Sequence, residues 1–142
     1  SGPFLDRIDL FVDVAAVTAA DLSLPPPAEG TKEAAARVFA ARELQAKRYA
    51  EADISRRAIN ADAPGSDIEA LCRPDEGARA LLVKAAEQLS LSARAYHRVL
   101  KVARTIADLD GAASVARVHA AEALTYRYRP AVAVQGGARL SV

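Results

Sequence analysis

Two periodicities of hydrophobic positions divide this chain. Near the N-terminus, apolar residues stand at every second position, which is the spacing of a β-strand: Ile8, Leu10, Val12 and Val14. From residue 31 onward they recur every three or four positions, as in helices packed on a core. Between these regions, three prolines at 25–27 exclude a helix and favour an extended linker. The predicted organisation is a strand within residues 1–14, a linker over 15–30, a helical domain over 31–129 and a flexible tail over 130–142.

Capping and turn residues separate five periodic segments in the helical region. The predicted helices cover about residues 31–49, 66–71, 73–89, 91–109 and 114–127. In the fourth helix the apolar stripe consists of Ala95, Val99, Val102, Ile106 and Leu109. In the fifth, the inward positions are predicted to be Val115, Val118, Ala121, Ala123 and Leu124. The first helix has a weaker stripe around Val38 and Phe39.

The fourth predicted helix carries positive charge in its first turn, where negative charge is more usual. Ser92 is a good N-cap, because its hydroxyl can accept from a free backbone N–H of the first turn. Arg94 follows in that first turn, with Arg98 one turn on and Lys101 on the same side. A helix N-terminus carries partial positive charge, so cations there are mildly unfavourable while an anion such as phosphate is attracted. From this helix alone, a solvated arginine face is the favoured interpretation and an anion site is the alternative.

Composition narrows the functional classes. The chain has 19 Lys and Arg against 18 Asp and Glu, so its formal net charge of +1 gives no global basic footprint for nucleic acid. Neither of the two histidines has a second ligand at metal spacing, which leaves no metal site to predict. Cys72 is the single cysteine, so no internal disulfide is possible, and it is interpreted as a buried bystander thiol.

The composition also bears on the cellular location of the chain and on whether it is a fragment. No apolar run is long enough to span a membrane, and no secretory signal pattern opens the chain. A lone cysteine suits a reducing cytoplasm, which is the expected location. The sequence contains no Met, so we expect a fragment or a processed chain.

Two segments carry a resemblance to a known family. The first is SGPFLDRIDL at residues 1–10, and the second is LSARAYHRVLKVARTIADL at residues 91–109. Both resemble the C-terminal part of the Mg-chelatase-like AAA+ ATPases, in the ComM/YifB branch. Looser similarity runs through residues 75–89 and 120–127. The resemblance implies an all-α fold: a small helical bundle, called the lid, preceded by one strand detached from an α/β ATPase core that lies outside this chain.

The resemblance also implies roles for individual arginines. Arg7 aligns with the arginine finger, which reaches the nucleotide of the neighbouring subunit in trans and stabilises transition-state charge. Arg94 aligns with the sensor-2 arginine, which contacts nucleotide phosphates from the lid, in this branch across a subunit boundary. Arginine suits both roles because its planar fork stays charged and pairs bidentately with phosphate. Arg98 is a secondary candidate for nucleotide binding, and a solvated face is favoured for it and for Lys101.

The phosphate-cradling motif of an ATPase is absent, since no G-x-x-x-x-G-K-[ST] occurs in the sequence. We therefore expect this chain alone to be inactive and to bind no cofactor, while the full-length protein would use ATP and Mg²⁺. By resemblance, its partners would be neighbouring subunits of a homo-oligomeric ring and DNA, in competence or recombination, with no membrane.

Two alternatives stay open at this point. The first is a subunit of a true magnesium chelatase, in which the motor drives Mg²⁺ insertion into a porphyrin. The second is a stand-alone helical module for protein or DNA binding. In its DNA-binding form, two helices joined by a tight turn would present four basic residues to DNA: Arg94, Arg98, Lys101 and Arg104.

Overall fold

The computed structural model describes residue 4 and residues 7–26, 28–54 and 58–127. Over these residues it contains five α-helices: α1 (Thr31–Glu51), α2 (Ile68–Cys72), α3 (Glu76–Gln88), α4 (Ala93–Leu109) and α5 (Arg117–Thr125). Short 3-10 turns occur at Asp21–Ser23 and Asn60–Asp62. The prediction of a small all-α bundle is confirmed. The predicted tail at 130–142 lies outside the described residues.

The N-terminal segment differs from the predicted strand. Residues 8–18 take no regular secondary structure, and the described part of the chain contains no β-sheet. A strand needs a neighbour to complete its ladder of hydrogen bonds. Here the Phe11 N–H of the segment donates to the Tyr126 carbonyl at 2.8 Å. The predicted linker contains the turn at Asp21–Ser23, after which Leu24 takes an extended conformation.

The core lies where α4 meets α3, α5 and α2. It is built from small and medium apolar side chains, which lets the helices approach closely. Its members are Ile68, Cys72, Ala78, Leu82, Val99, Leu100, Ala103, Ala107, Val115, Ala120 and Ala123. Tyr49 of α1 sits in a smaller cluster with Ala63 and Leu71. The first three turns of α1 extend away from this core, so the predicted burial around Val38 and Phe39 is wrong and both side chains are exposed.

Two helices are rotated relative to their predicted apolar stripes. In α4, Ala95 and Val99 are buried as expected, but Val102 and Ile106 are only half-buried and Leu109 is exposed. In α5, Val118 is 65% exposed while His119 and Ala120 face inward. The cause in α5 is that the His119 Nδ1 accepts from the Ala116 N–H at 2.9 Å, so this polar ring caps the helix from inside.

A buried polar network explains the rotation of α4. Asp108 and Arg104 lie one turn apart on this helix, and both side chains are 0% exposed. The Arg104 Nε donates to Asp108 Oδ1 at 3.1 Å, and Arg48 of α1 donates to the other Asp108 oxygen at 3.1 Å. Asn60 adds a bond to that same oxygen at 2.9 Å. Because every charge has a partner, two ionised groups can replace apolar residues in the core.

The network also closes the C-terminal end of α4. The two terminal nitrogens of Arg104 donate to three backbone carbonyls, those of Cys72, Ala112 and Ala113, at 3.3, 2.6 and 3.2 Å. Gly111 ends the helix in the left-handed conformation, with φ +68°, that glycine adopts without strain. The end of α4, the turn after it and the end of α2 are thereby fixed to one guanidinium.

Candidate functional site

A groove of about 810 Å³ runs along the side of α4 that faces away from the core. Its floor is apolar, because Val102, Ile106 and Leu109 lie along it. Leu10 of the N-terminal segment and Tyr126, just after α5, form its walls. The last three residues of the predicted inward stripe of α4 therefore line this groove, although Val102 and Ile106 also pack against the core.

One end of this groove is cationic. Arg94, His97, Arg98 and Lys101 lie there, on successive turns of α4. The two acidic residues that line the groove are Asp9 and Glu122. The groove thus combines an apolar floor with positive charge at the N-terminal end of α4, where the helix dipole adds to that charge.

Arg94 occupies the first turn of α4, as predicted. Ser92 is the N-cap, and its hydroxyl accepts from the Ala95 N–H at 3.1 Å, which fixes where the helix begins. The Arg94 side chain is exposed, and none of the described residues accepts a hydrogen bond from it or pairs with its charge. A guanidinium in this position can bind an anion without first breaking an internal ion pair.

Arg98 and Lys101 are differently placed, because both already have partners. Arg98 forms an ion pair with Asp9, and its Nε is buried without an acceptor among the described residues. Lys101 donates from Nζ to the Ala61 carbonyl at 2.8 Å. Neither side chain is the freely solvated cation that the sequence analysis favoured.

Arg7 lies on the N-terminal segment, and its side chain is exposed. Its backbone N–H donates to the Phe4 carbonyl at 3.0 Å, in a turn that precedes the docked part of the segment. Asp9, two residues later, holds Arg98 on α4. Sequence reasoning missed this link, since the alternating pattern identifies Asp9 only as an outward-facing strand residue.

Arg104 cannot contact DNA, so one of the four proposed DNA contacts of the helix-turn-helix alternative is wrong. Its side chain is 0% exposed and bound to Asp108 and to backbone carbonyls. Burial lowers the pKa of Arg104, and the neighbouring Asp108 opposes that shift. The sequence signal that could have identified this role is the i, i+4 spacing of Arg104 and Asp108.

The cysteine and the two histidines differ in their surroundings. Burial raises the pKa of the Cys72 thiol to about 12, which keeps it protonated and unreactive. His97 borders the groove, whereas His119 is occupied with Ala116 and Asp110. Within the described ranges, no group of three or more His, Cys, Asp or Glu side chains could hold a metal ion.

A comparison with known protein families identifies the family of this chain. A family profile described as magnesium chelatase, subunit ChlI C-terminal, matches residues 28–127, which include all five helices. The chain belongs to this family. The matched region covers the helical bundle and includes Arg94, whereas Arg7 lies before it.

Individual relatives agree with the family assignment. Competence protein ComM of Haemophilus influenzae is 40% identical over 128 residues, covering 89% of this chain and 24% of the relative. The uncharacterised protein YifB of Escherichia coli is 38% identical over 136 residues, with the same coverage. An uncharacterised protein of Mycobacterium bovis is 35% identical over 127 residues, again with the same coverage. The chain therefore spans about a quarter of the length of these curated relatives.

The sequence predicts no membrane-spanning segment, and the lengths and hydrophobicity of the helices can be compared with that prediction. Over the described residues, none of the helices is both long enough and apolar enough to cross a bilayer.

Proposed function

We propose that this chain is the lid of a ring-forming AAA+ ATPase, and that Arg94 binds the phosphates of a nucleotide held by a neighbouring subunit. The observation that carries the proposal is the state of Arg94: it is exposed on the first turn of α4, and no described residue pairs with it. Its neighbours Arg98 and Lys101 are engaged. Free backbone N–H groups and a helix dipole at the same place favour an anion.

Arg7 would act as the arginine finger on the same neighbouring nucleotide. Its segment is attached to α4 one turn after Arg94, through Asp9 and Arg98. In this proposal ATP and Mg²⁺ are held by a Walker-type site elsewhere in the full-length protein, and this chain supplies the two arginines. A cationic end of the groove, without a cluster of carboxylates, suits phosphate oxygens rather than Mg²⁺.

The test is ATP turnover by the full-length protein carrying Arg94→Ala. We expect kcat to fall about 100- to 1000-fold, as when one donor to developing charge is removed. The matched control is Arg117→Ala, since Arg117 is also exposed and also lies in the first turn of a helix. Turnover of the control should be unchanged, and both variants should keep the wild-type melting temperature. An Arg94→Ala protein that is folded and fully active would refute the proposal.

Arg7→Ala tests the role in trans. The loss should reach roughly 10³- to 10⁵-fold, which is typical of an arginine finger. Mixed rings separate the cases, because an Arg7→Ala subunit beside a subunit defective in its own ATP pocket should regain activity at one class of interface. If no mixture regains activity, the trans assignment fails.

DNA is the proposed substrate of the full-length motor. Support comes from the relative named as a competence protein, which matches 89% of this chain at 40% identity. A magnesium chelatase subunit is the second candidate, because the family profile carries that description. Stimulation of ATP turnover by DNA would favour the first, whereas stimulation only by a porphyrin with Mg²⁺ and the partner subunits would favour the second.

A further inference from the structure

Polar contacts within residues 8–11 join the N-terminal segment to the helical domain. The Asp9 carboxylate pairs with Arg98 on α4. The Ile8 carbonyl accepts from the Arg127 guanidinium at 3.3 Å, and the Phe11 N–H donates to the Tyr126 carbonyl at 2.8 Å. These partners are far away in sequence, so the contacts fix this segment against the domain rather than shaping it locally.

Among these contacts, the pair of Asp9 and Arg98 is the one formed between two side chains. The Asp9 side chain is 47% exposed and that of Arg98 is 29% exposed. The Nε of Arg98 is buried and has no acceptor among the described residues. Asp9 therefore supplies the charge partner that allows this guanidinium to lie partly inside the groove.

The pair links the two segments that carry the arginines of the proposed site. Arg7 stands two residues before Asp9, and Arg94 stands one helical turn before Arg98 on the same side of α4. Asp9 and Leu10 also line the groove that begins at Arg94. Releasing the segment would free Arg7 from α4 and remove one wall of the groove.

We infer that Asp9 and Arg98 are positioning residues, which hold Arg7 and Arg94 in a fixed relation on one surface of the helical domain. This inference rests on the proposed function. Two guanidinium groups that must meet one polyphosphate gain from being fixed beforehand, since otherwise their freedom is lost during the reaction.

The competing assignment gives Arg98 a direct phosphate contact. Under that assignment Asp9 is a competitor, so Asp9→Asn should free Arg98 and leave turnover equal or higher. If Asp9 and Arg98 are positioning residues, the Asp9→Asn and Arg98→Gln variants should both lose ATP turnover to a similar extent. An exchange of the two charges separates the assignments further, because an aspartate at position 98 can rebuild the pair but cannot bind phosphate.

The first measurement is hydrogen exchange of the Phe11 amide in the 142-residue chain. Asp9→Asn and Arg98→Gln should speed this exchange up to about fivefold, the range of an exposed ion pair. The charge exchange, Asp9→Arg with Arg98→Asp, should restore the wild-type rate. The matched control is Glu29→Gln, which breaks the similarly exposed ion pair of Glu29 with Arg37 on α1 and should leave Phe11 unchanged.

The second measurement is ATP turnover by the full-length protein with the same variants. Asp9→Asn and Arg98→Gln should lower kcat with little change in KM, and the charge exchange should recover activity relative to Arg98→Asp alone. Unchanged Phe11 exchange in both single variants would overturn the inference. So would turnover that is unaffected by Asp9→Asn, or a charge exchange that stays as inactive as Arg98→Asp.

Arg94→Ala distinguishes the failure of this inference from failure of the proposed function. If Arg94→Ala abolishes turnover while Asp9→Asn and Arg98→Gln do not impair it, only the positioning role is wrong. If all three variants turn over ATP at the wild-type rate, the proposed function fails together with this inference.

Discussion

Asp108→Asn tests whether the buried charge network stabilises the domain. The Asp108 side chain is 0% exposed and accepts from Arg48, Arg104 and Asn60. The substitution keeps the shape of the side chain but removes its charge and turns an acceptor into an NH₂ group. Arg104, also 0% exposed, would then be left in the core without a counter-ion.

The expected cost follows from that burial. Removing one partner of a buried ion pair costs about 3–5 kcal/mol, because the remaining charge is uncompensated. Domains of this size have a free energy of unfolding of about 5–15 kcal/mol. Each kcal/mol lowers the melting temperature of a domain of 60–100 residues by roughly 4–8 °C. The melting temperature should therefore fall by about 12–40 °C, and a marginally stable domain would be unfolded at room temperature.

Thermal and urea unfolding, followed by circular dichroism, measure this change. Asp110→Asn is the matched control: Asp110 lies two residues later, its side chain is 61% exposed, and its Oδ2 lies 3.2 Å from the His119 Nε2. We expect the control to melt within a few degrees of the wild type. If Asp108→Asn melts as the control does, the network contributes no net stability and the reasoning is refuted.

Two further predictions concern the fold. Ser92→Ala should lower the free energy of unfolding by about 0.5–2 kcal/mol in urea titration, because it removes the N-cap of α4; an unchanged midpoint would contradict the cap. Alkaline pH should destabilise the domain, because burial raises the pKa of Cys72 from 9.0, and that of Tyr49 from 10.0, to about 12. Both groups ionise first in the unfolded chain, so this stability is complete below about pH 9 and is lost as the pH rises toward 12. Urea midpoints measured from pH 8 to 11 that do not fall would exclude this linkage.

Much of the bundle could be predicted from local signals. Ser92 and Gly111 bracket α4, and both take the predicted conformations because caps depend on a few adjacent residues. The ends of α3 and α5 likewise fall within a few residues of their predicted positions. These features need no knowledge of what the helices pack against.

The buried faces could not be predicted in the same way, since they depend on partners far away in sequence. Hydrophobicity identifies Ile106 as inward and Asp108 as outward, but Asp108 has Arg48 as a partner 60 residues away and becomes the buried side chain. In α5 the polar His119 is buried while Val118 is exposed, since the His119 ring accepts from the Ala116 N–H. A polar residue can be buried wherever its partners are, and the partners are not visible in a local pattern.

In the candidate site, too, the local features could be predicted and the contacts between distant residues could not. Arg94 could be located from its position beside Ser92, because a helix N-terminus is a local feature. The attachment of Arg98 to Asp9 joins residues 89 positions apart, and the strand-like pattern around Asp9 gave no sign of it. Over the described residues, the four cations of the alternative DNA face therefore separate into one that is exposed and has no partner, two that have partners and one that is buried.

On α4, the residues that stabilise the domain and the arginine proposed to bind phosphate lie at opposite ends. α4 has 17 residues, so it is about 25 Å long. Its C-terminal end carries Arg104 and Asp108, which join α1, α2 and the turn after α4 into one unit. Its N-terminal end carries Arg94, whose side chain is exposed and has no partner among the described residues. Changes at Arg104 or Asp108 should thus destabilise the domain, while Arg94→Ala should leave its stability unchanged. A rigid helix that is fixed at one end and exposed at the other can present an arginine to a neighbouring molecule, while that arginine takes no part in the core.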